Sequence, residues 1–164
     1  MRLVEGVAEI DDLDAFLSRL DEVAESFGVT IQAFDARYLV GREHLERAVE
    51  LADRAIARDE NVARDRGVEI LLYAAGRRQI DDALGLGVGE GRVPTVILVA
   101  GGEEADENAA ADALDVVDPA PTLGEYDPAR VRDFFDVSDA EIAATDGDLP
   151  AIVRERVALL DVEK

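Results

Sequence analysis

The chain has no cysteine, one histidine and one lysine in 164 residues, and aromatic side chains make up only 5%. Without cysteine, disulfides and thiolate metal sites are excluded. Any Ser–His–Asp arrangement would have to use His44, the only imidazole, and Ser18, Ser26 and Ser138 sit in no nucleophile-elbow motif. The spacing places His44 on the exposed side of a helix beside Glu43 and Glu46. No apolar run approaches the roughly 18 residues of a membrane span. The opening MRLVEGVAEIDD lacks the apolar core of a signal peptide, so the expected location is the cytoplasm.

Basic charge is also scarce. Lys and Arg total 17 against 38 Asp and Glu, a net charge of −21, and Lys164 is the only lysine. Apolar positions nevertheless recur periodically and hydrophobic residues reach 48%, which argues for a folded domain rather than disorder. An acidic, lysine-poor, well-patterned chain resembles proteins of salt-loving archaea. Charge of one sign strains a compact fold by self-repulsion, and molar salt relieves it by shortening the Debye length to about 3 Å.

The length fits one domain, residues 1–164. Residues 3–10 alternate as a first strand, and Asp11 or Asp12 can cap a helix with Leu13, Phe16, Leu20 and Val23 on one face and Gly28 as its stop. Thr30–Phe34 reads as a strand. Arg42–Arg58 reads as a helix with Leu45, Ala48, Val49, Ala52 and Ile56 inward. Val68–Ala75 is the most hydrophobic segment up to that point and reads as a buried strand, followed by a turn at Gly76 and a helix over Arg78–Leu86. Gly85–Gly91 reads as a loop and Pro94–Ala100 as a second apolar strand. Helices are expected over Glu103–Leu114 and Pro128–Phe135. Ser138 and Glu141 have capping-box spacing for another, and a last one, capped by Asp148, has the stripe Leu149, Ile152, Val153, Val157 and Leu160. The expected fold is therefore α/β or α+β, with a small sheet flanked by helices and a helical C-terminus.

Few residues carry a chemical signal. Gly85–Gly91 has glycine at every second position, but it follows a helix and precedes a strand, the wrong context for a nucleotide loop. Acidic pairs such as Asp11-Asp12 and Asp81-Asp82 are expected by number alone among 38 carboxylates. No metal site or cofactor is indicated, and no residues argue for an enzyme. The turn Gly76-Arg77-Arg78-Gln79-Ile80 is different: it holds the only adjacent pair of basic residues. Two guanidinium groups at a helix start suit phosphate or a single-stranded nucleic acid end. Arginines paired to neighbouring carboxylates would give the same sequence. The stripe from Leu149 to Leu160 can be core or can leave a face for a partner helix.

The block EILLYAAGRRQIDDAL (residues 69–84) resembles the small kinase-binding subunit of the KEOPS complex, the Cgi/TPRKB family. The likeness extends to IQAFDARYLVGREHLERAVELA, to PTVILVA and to LPAIVRERVALLDVE, nearly the whole chain, and the acidic surface fits a haloarchaeal version. The resemblance implies a non-catalytic α/β domain with a small mixed sheet. It implies docking on the atypical kinase/ATPase of KEOPS and, through it, association with the Kae-type catalytic subunit, in a complex that installs threonylcarbamoyl on tRNA. It also implies contact with the single-stranded CCA 3′ end of tRNA. Carried onto this chain, the RNA contact falls on Gly76, Arg77, Arg78, Gln79 and Ile80, with Arg92 as an addition. The kinase contact falls on Ile152, Val153, Arg156, Val157 and Leu160. The competing reading is a protein-only adaptor that activates the kinase, with the arginines structural.

Overall fold

The structure, a computed structural model, describes residues 1–163. Among them, four strands and eight helices follow in chain order. They are β1 (Arg2–Ile10), α1 (Leu13–Phe27), β2 (Thr30–Asp35), α2 (Arg42–Ala57), α3 (Arg66–Ala75), α4 (Ile80–Ala83), β3 (Gly91–Ala100), α5 (Glu104–Ala113), β4 (Asp118–Pro119), α6 (Pro128–Phe134), α7 (Asp139–Ala144) and α8 (Leu149–Glu163). Short 3₁₀ turns occupy Ala36–Tyr38 and Leu84–Leu86. This is a mixed α/β fold with a small sheet and a helical C-terminal region. The chain divides into two compact units: Met1–Ala36 with Gly87–Thr122, and Arg37–Leu86 with Leu123–Lys164.

The first unit is built on β3, whose residues Thr95–Ala100 are all buried. The strand order is β2-β3-β1-β4, and every pairing among the described residues is antiparallel, with Leu3 opposite Leu98 and Ile31 opposite Val99. The sheet is thus antiparallel where a mixed one was expected, and the segment Val68–Ala75, expected as a strand, is helical and takes no part in it. Leu20 and Val23 of α1 and Ala110 of α5 pack on Ala33, Ile97 and Val99 of the sheet. The local signals hold: Asp12 caps α1 by accepting from Ala15 N–H at 3.2 Å, and Gly28 ends it in the left-handed conformation. Gly6 is required for the edge of the sheet. A Cβ there would lie 2.5 Å from the Asp118 carbonyl oxygen, so only glycine lets β4 pair with β1.

The second unit is helical. Leu45, Ala48, Leu51, Ala52 and Ala55 of α2 are buried, while Ile56 is exposed and Val49 half-buried, so the inward face is rotated from the expected one. The largest departure is α3. Asp65 accepts from Val68 N–H at 3.0 Å and caps its start. At its end Gly76 adopts φ 62°, with Gly76 N–H donating to Tyr73 O at 3.1 Å and Arg77 N–H to Leu72 O at 3.0 Å. This is a Schellman stop. The helix is buried on all sides, from Ile70 to Ala75 without a break, so it shows neither helical nor strand period. Length, caps and helix-favouring Leu and Ala arbitrate such a run. Ser138 and Glu141 form the expected capping box of α7, and Asp148 accepts from Ala151 N–H at 3.1 Å at the start of α8.

Candidate nucleic-acid and partner interface

The turn after α3 is fixed from below. Gly76 is left-handed, and a Cβ on it would meet the Arg156 carbonyl oxygen at 3.3 Å. Arg77 is half-buried. Its guanidinium lies 5.1 Å from the centroid of the Phe134 ring and donates to the Phe134 carbonyl. The Phe134 ring meets Tyr38 edge-on at 5.5 Å and Phe135 at 5.0 Å. Gly85 in the 3₁₀ turn leaves the space this ring needs, because a Cβ there would stand 2.9 Å from Phe134 Cε2. The expected loop at Gly85–Gly91 therefore begins as an ordered turn. Arg78 and Gln79 are exposed. Among the described residues Arg78 makes no salt bridge and no hydrogen bond from its side chain. Ile80 at the start of α4 and Leu84 at the start of the 3₁₀ turn that follows it are 43% and 55% exposed.

The arginines thus divide three ways. Arg92 on β3 faces Glu9 across the strand pair at 3.0 Å, with both side chains exposed, which is the ordinary ion-pair arrangement. Arg77 rests on an aromatic ring and a carbonyl. Arg78 is exposed and has no side-chain partner among the described residues.

The helix α8 is held on both sides. Leu149, Ile152, Val153, Val157 and Leu160 are all buried, and α8 packs on α2 and α3. Asp161 accepts from Arg54 at 2.6 Å and from the Tyr73 hydroxyl at 3.0 Å. Burial raises the Asp161 pKa, but these hydrogen bonds outweigh it and leave the group below its ordinary value. Arg156 donates from Nε to Phe135 O and from one terminal nitrogen to Asp136 O, both at 3.1 Å, and it pairs with Glu141 at 2.8 Å. The Arg156 hydrogen bond, with the Ser138 N–H, lowers the Glu141 pKa. Arg77 and Arg156 therefore satisfy successive carbonyls at the C-terminal end of α6, where cations are also favoured by the helix dipole. The stripe expected to meet the kinase is core of this unit. Among the described residues the large apolar side chains of α8 that are exposed are Leu159 and Val162, two positions the sequence pattern does not single out.

His44 is not on the surface. It is buried, with Nδ1 accepting from Val40 N–H at 3.3 Å and Nε2 2.7 Å from Ala74 O, and its ring meets Phe135 edge-on at 5.8 Å. These partners require the neutral ring with its proton on Nε2. Desolvation lowers its pKa from 6.5 to about 4. No substrate-sized chemistry gathers round it. The depression of about 490 Å³ beside α2 and α8 is lined by Glu43, Glu46, Arg47, Glu50 and Arg154, which largely pair with one another: Arg47–Glu50 at 2.8 Å and Arg154–Glu43 at 3.7 Å. Among the described residues no group of three or more His, Asp or Glu is placed to hold a metal ion, and no helix is long and apolar enough to cross a membrane.

The geometry describes a small α/β domain in which the exposed Arg78 lies on a turn braced by aromatic packing. Residues 8–161 match the family model described as kinase binding protein CGI-121, and the chain belongs to that family. Membership supports a role as an accessory subunit of the KEOPS complex and a non-catalytic, adaptor function. No curated protein matches the chain.

Proposed function

We propose that this chain is the kinase-binding subunit of a tRNA threonylcarbamoyl-adenosine modification complex of KEOPS type. It binds the atypical kinase/ATPase, through it reaches the Kae-type catalytic subunit, and receives the CCA 3′ end of tRNA. The observation that carries this reading is the family match across residues 8–161. The RNA contact is assigned to Gly76–Ile80, supported by the exposed Arg78 and by Ile80 beside it. Arg92 contributes less, since Glu9 neutralises it. The kinase contact is assigned to α8. Its buried residues Ile152, Val153, Val157 and Leu160 hold the helix in place, Arg156 braces it, and Leu159 and Val162 offer apolar surface to the partner.

The acidic composition belongs to the same proposal. A chain at −21 with one lysine suits the cytoplasm of a salt-loving archaeon. Long-range charge would repel tRNA, yet at about 1 M salt the Debye length is only ~3 Å. The same salt weakens phosphate attraction and counterion release. Affinity for an RNA end must then come mainly from short-range hydrogen bonds and packing on unpaired bases.

One observation favours the protein-only adaptor: Arg77 is engaged within the chain. Gel shifts with tRNA carrying or lacking CCA separate the two readings. Arg77→Glu with Arg78→Glu is expected to weaken binding of CCA-ended tRNA at high salt and to spare kinase binding. Unchanged RNA affinity would remove the turn from the site.

A further inference from the structure

We infer that the two adjacent arginines have different tasks: Arg77 is a positioning residue that sets the turn, and Arg78 is the arginine that meets the RNA phosphates. This rests on the proposed RNA-end contact and assigns roles within it.

The division follows from what each guanidinium already touches. Arg77 holds its guanidinium carbon over the Phe134 ring, 5.1 Å from the centroid, and gives one terminal nitrogen to the Phe134 carbonyl. Its backbone N–H closes the Schellman stop on Leu72 O. Turning this guanidinium toward a phosphate would take it off the Phe134 ring and strip Phe134 O of its donor near the end of α6. The ring beneath is itself fixed, by Tyr38 and Phe135 at its edges and by the missing Cβ of Gly85. The path of the chain beyond Gly76 is therefore set by the packing of Arg77. Arg78 follows immediately, exposed and without a side-chain partner among the described residues. Holding its long side chain on a rigid base reduces the ordering cost of a contact. The exposed Ile80 of α4 and Leu84 of the 3₁₀ turn after it lie just downstream, where an unpaired base could rest.

The two roles have different salt signatures. A phosphate contact contributes about 0.7 to the slope of log K against log[salt] for a single strand, whereas a residue acting through Phe134 contributes none. The experiment measures binding of CCA-ended tRNA and of the same tRNA lacking CCA. It covers a KCl range in which the far-UV spectrum is constant, for wild type, Arg78→Ala, Arg77→Ala, Arg77→Lys and Phe134→Leu. Arg78→Ala is expected to weaken binding and lower the slope by about 0.7, with no change in melting temperature. Arg77→Lys, which keeps the charge but cannot lie flat on the ring, is expected to weaken binding as much as Arg77→Ala, with the slope unchanged. Arg77→Ala is expected to cost less in the Phe134→Leu background than in wild type, because the ring contact is already gone and only the bond to the carbonyl of residue 134 remains to be lost. The assignment is overturned if Arg77→Lys binds like wild type, or if Arg77→Ala lowers the slope as Arg78→Ala does; the RNA site would then stand with both arginines in direct contact. Wild-type binding that does not depend on CCA overturns the RNA-end reading itself and the division with it.

Discussion

Acidification should destabilise the helical unit through His44, and by a calculable amount. The ring is buried between the Val40 N–H and the Ala74 carbonyl, with Phe135 against it. Burial lowers its pKa from 6.5 to about 4, the Ala74 carbonyl opposes that change, and Arg154 adds a smaller lowering. Because the folded pKa lies below the unfolded one, the unfolded chain takes up the proton first. The stabilisation is fully present above pH 6.5. It falls as pH drops below that value, and the loss is complete once pH is below about 4 and both states are protonated. A gap of 6.5 less 4, at about 1.36 kcal/mol per unit, gives roughly 3 kcal/mol at the acid end and about 1.4 kcal/mol at pH 5.5. Carboxylates titrate in the same range, and their protonation relieves the repulsion of a chain at −21. The measurement is therefore a difference: urea midpoints of wild type and His44→Gln at constant salt from pH 7 to 4. The stability of wild type should fall by roughly 3 kcal/mol relative to the variant. Parallel pH profiles for the two proteins would refute the buried neutral imidazole.

Three further substitutions test packing and partner surface. Gly6→Ala should destabilise by about 1–3 kcal/mol in urea melts, since the new Cβ would stand 2.5 Å from the Asp118 carbonyl oxygen; a neutral effect would mean that β4 yields freely. Leu160→Ala, at a buried position, should cost about 2–5 kcal/mol and lower kinase binding only through stability. Leu159→Glu, on the exposed side of α8, should leave the melting temperature within a few degrees and weaken kinase binding directly; equal kinase affinity to wild type would move the contact off α8.

Much of this fold was legible because its signals are local. Asp12, Gly28, Ser138 with Glu141, and Asp148 act within three or four residues, and each behaves as its spacing predicts. The α8 stripe was legible as an apolar face, though spacing alone could not tell core from partner surface. What failed is tertiary. Val68–Ala75 lies in a helix enclosed on every side, which removes the period that separates helix from strand. The caps Asp65 and Gly76 and the Leu and Ala content were the signals that could have identified it. His44 looked exposed because its partners Ala74 and Phe135 lie far along the chain. The role of Arg77 depends on Phe134, 57 residues away, and no motif spacing links the two. The turn itself could be found from sequence as the only pair of adjacent basic residues, but the different surroundings of its two arginines could not.

The most direct test of the adaptor account is the calorimetric titration of this chain with the KEOPS atypical kinase subunit in molar KCl. The account predicts a saturable one-to-one complex, retained in the Arg77→Glu, Arg78→Glu double variant and weakened by Leu159→Glu. Absence of binding by the folded wild-type chain under those conditions would contradict it.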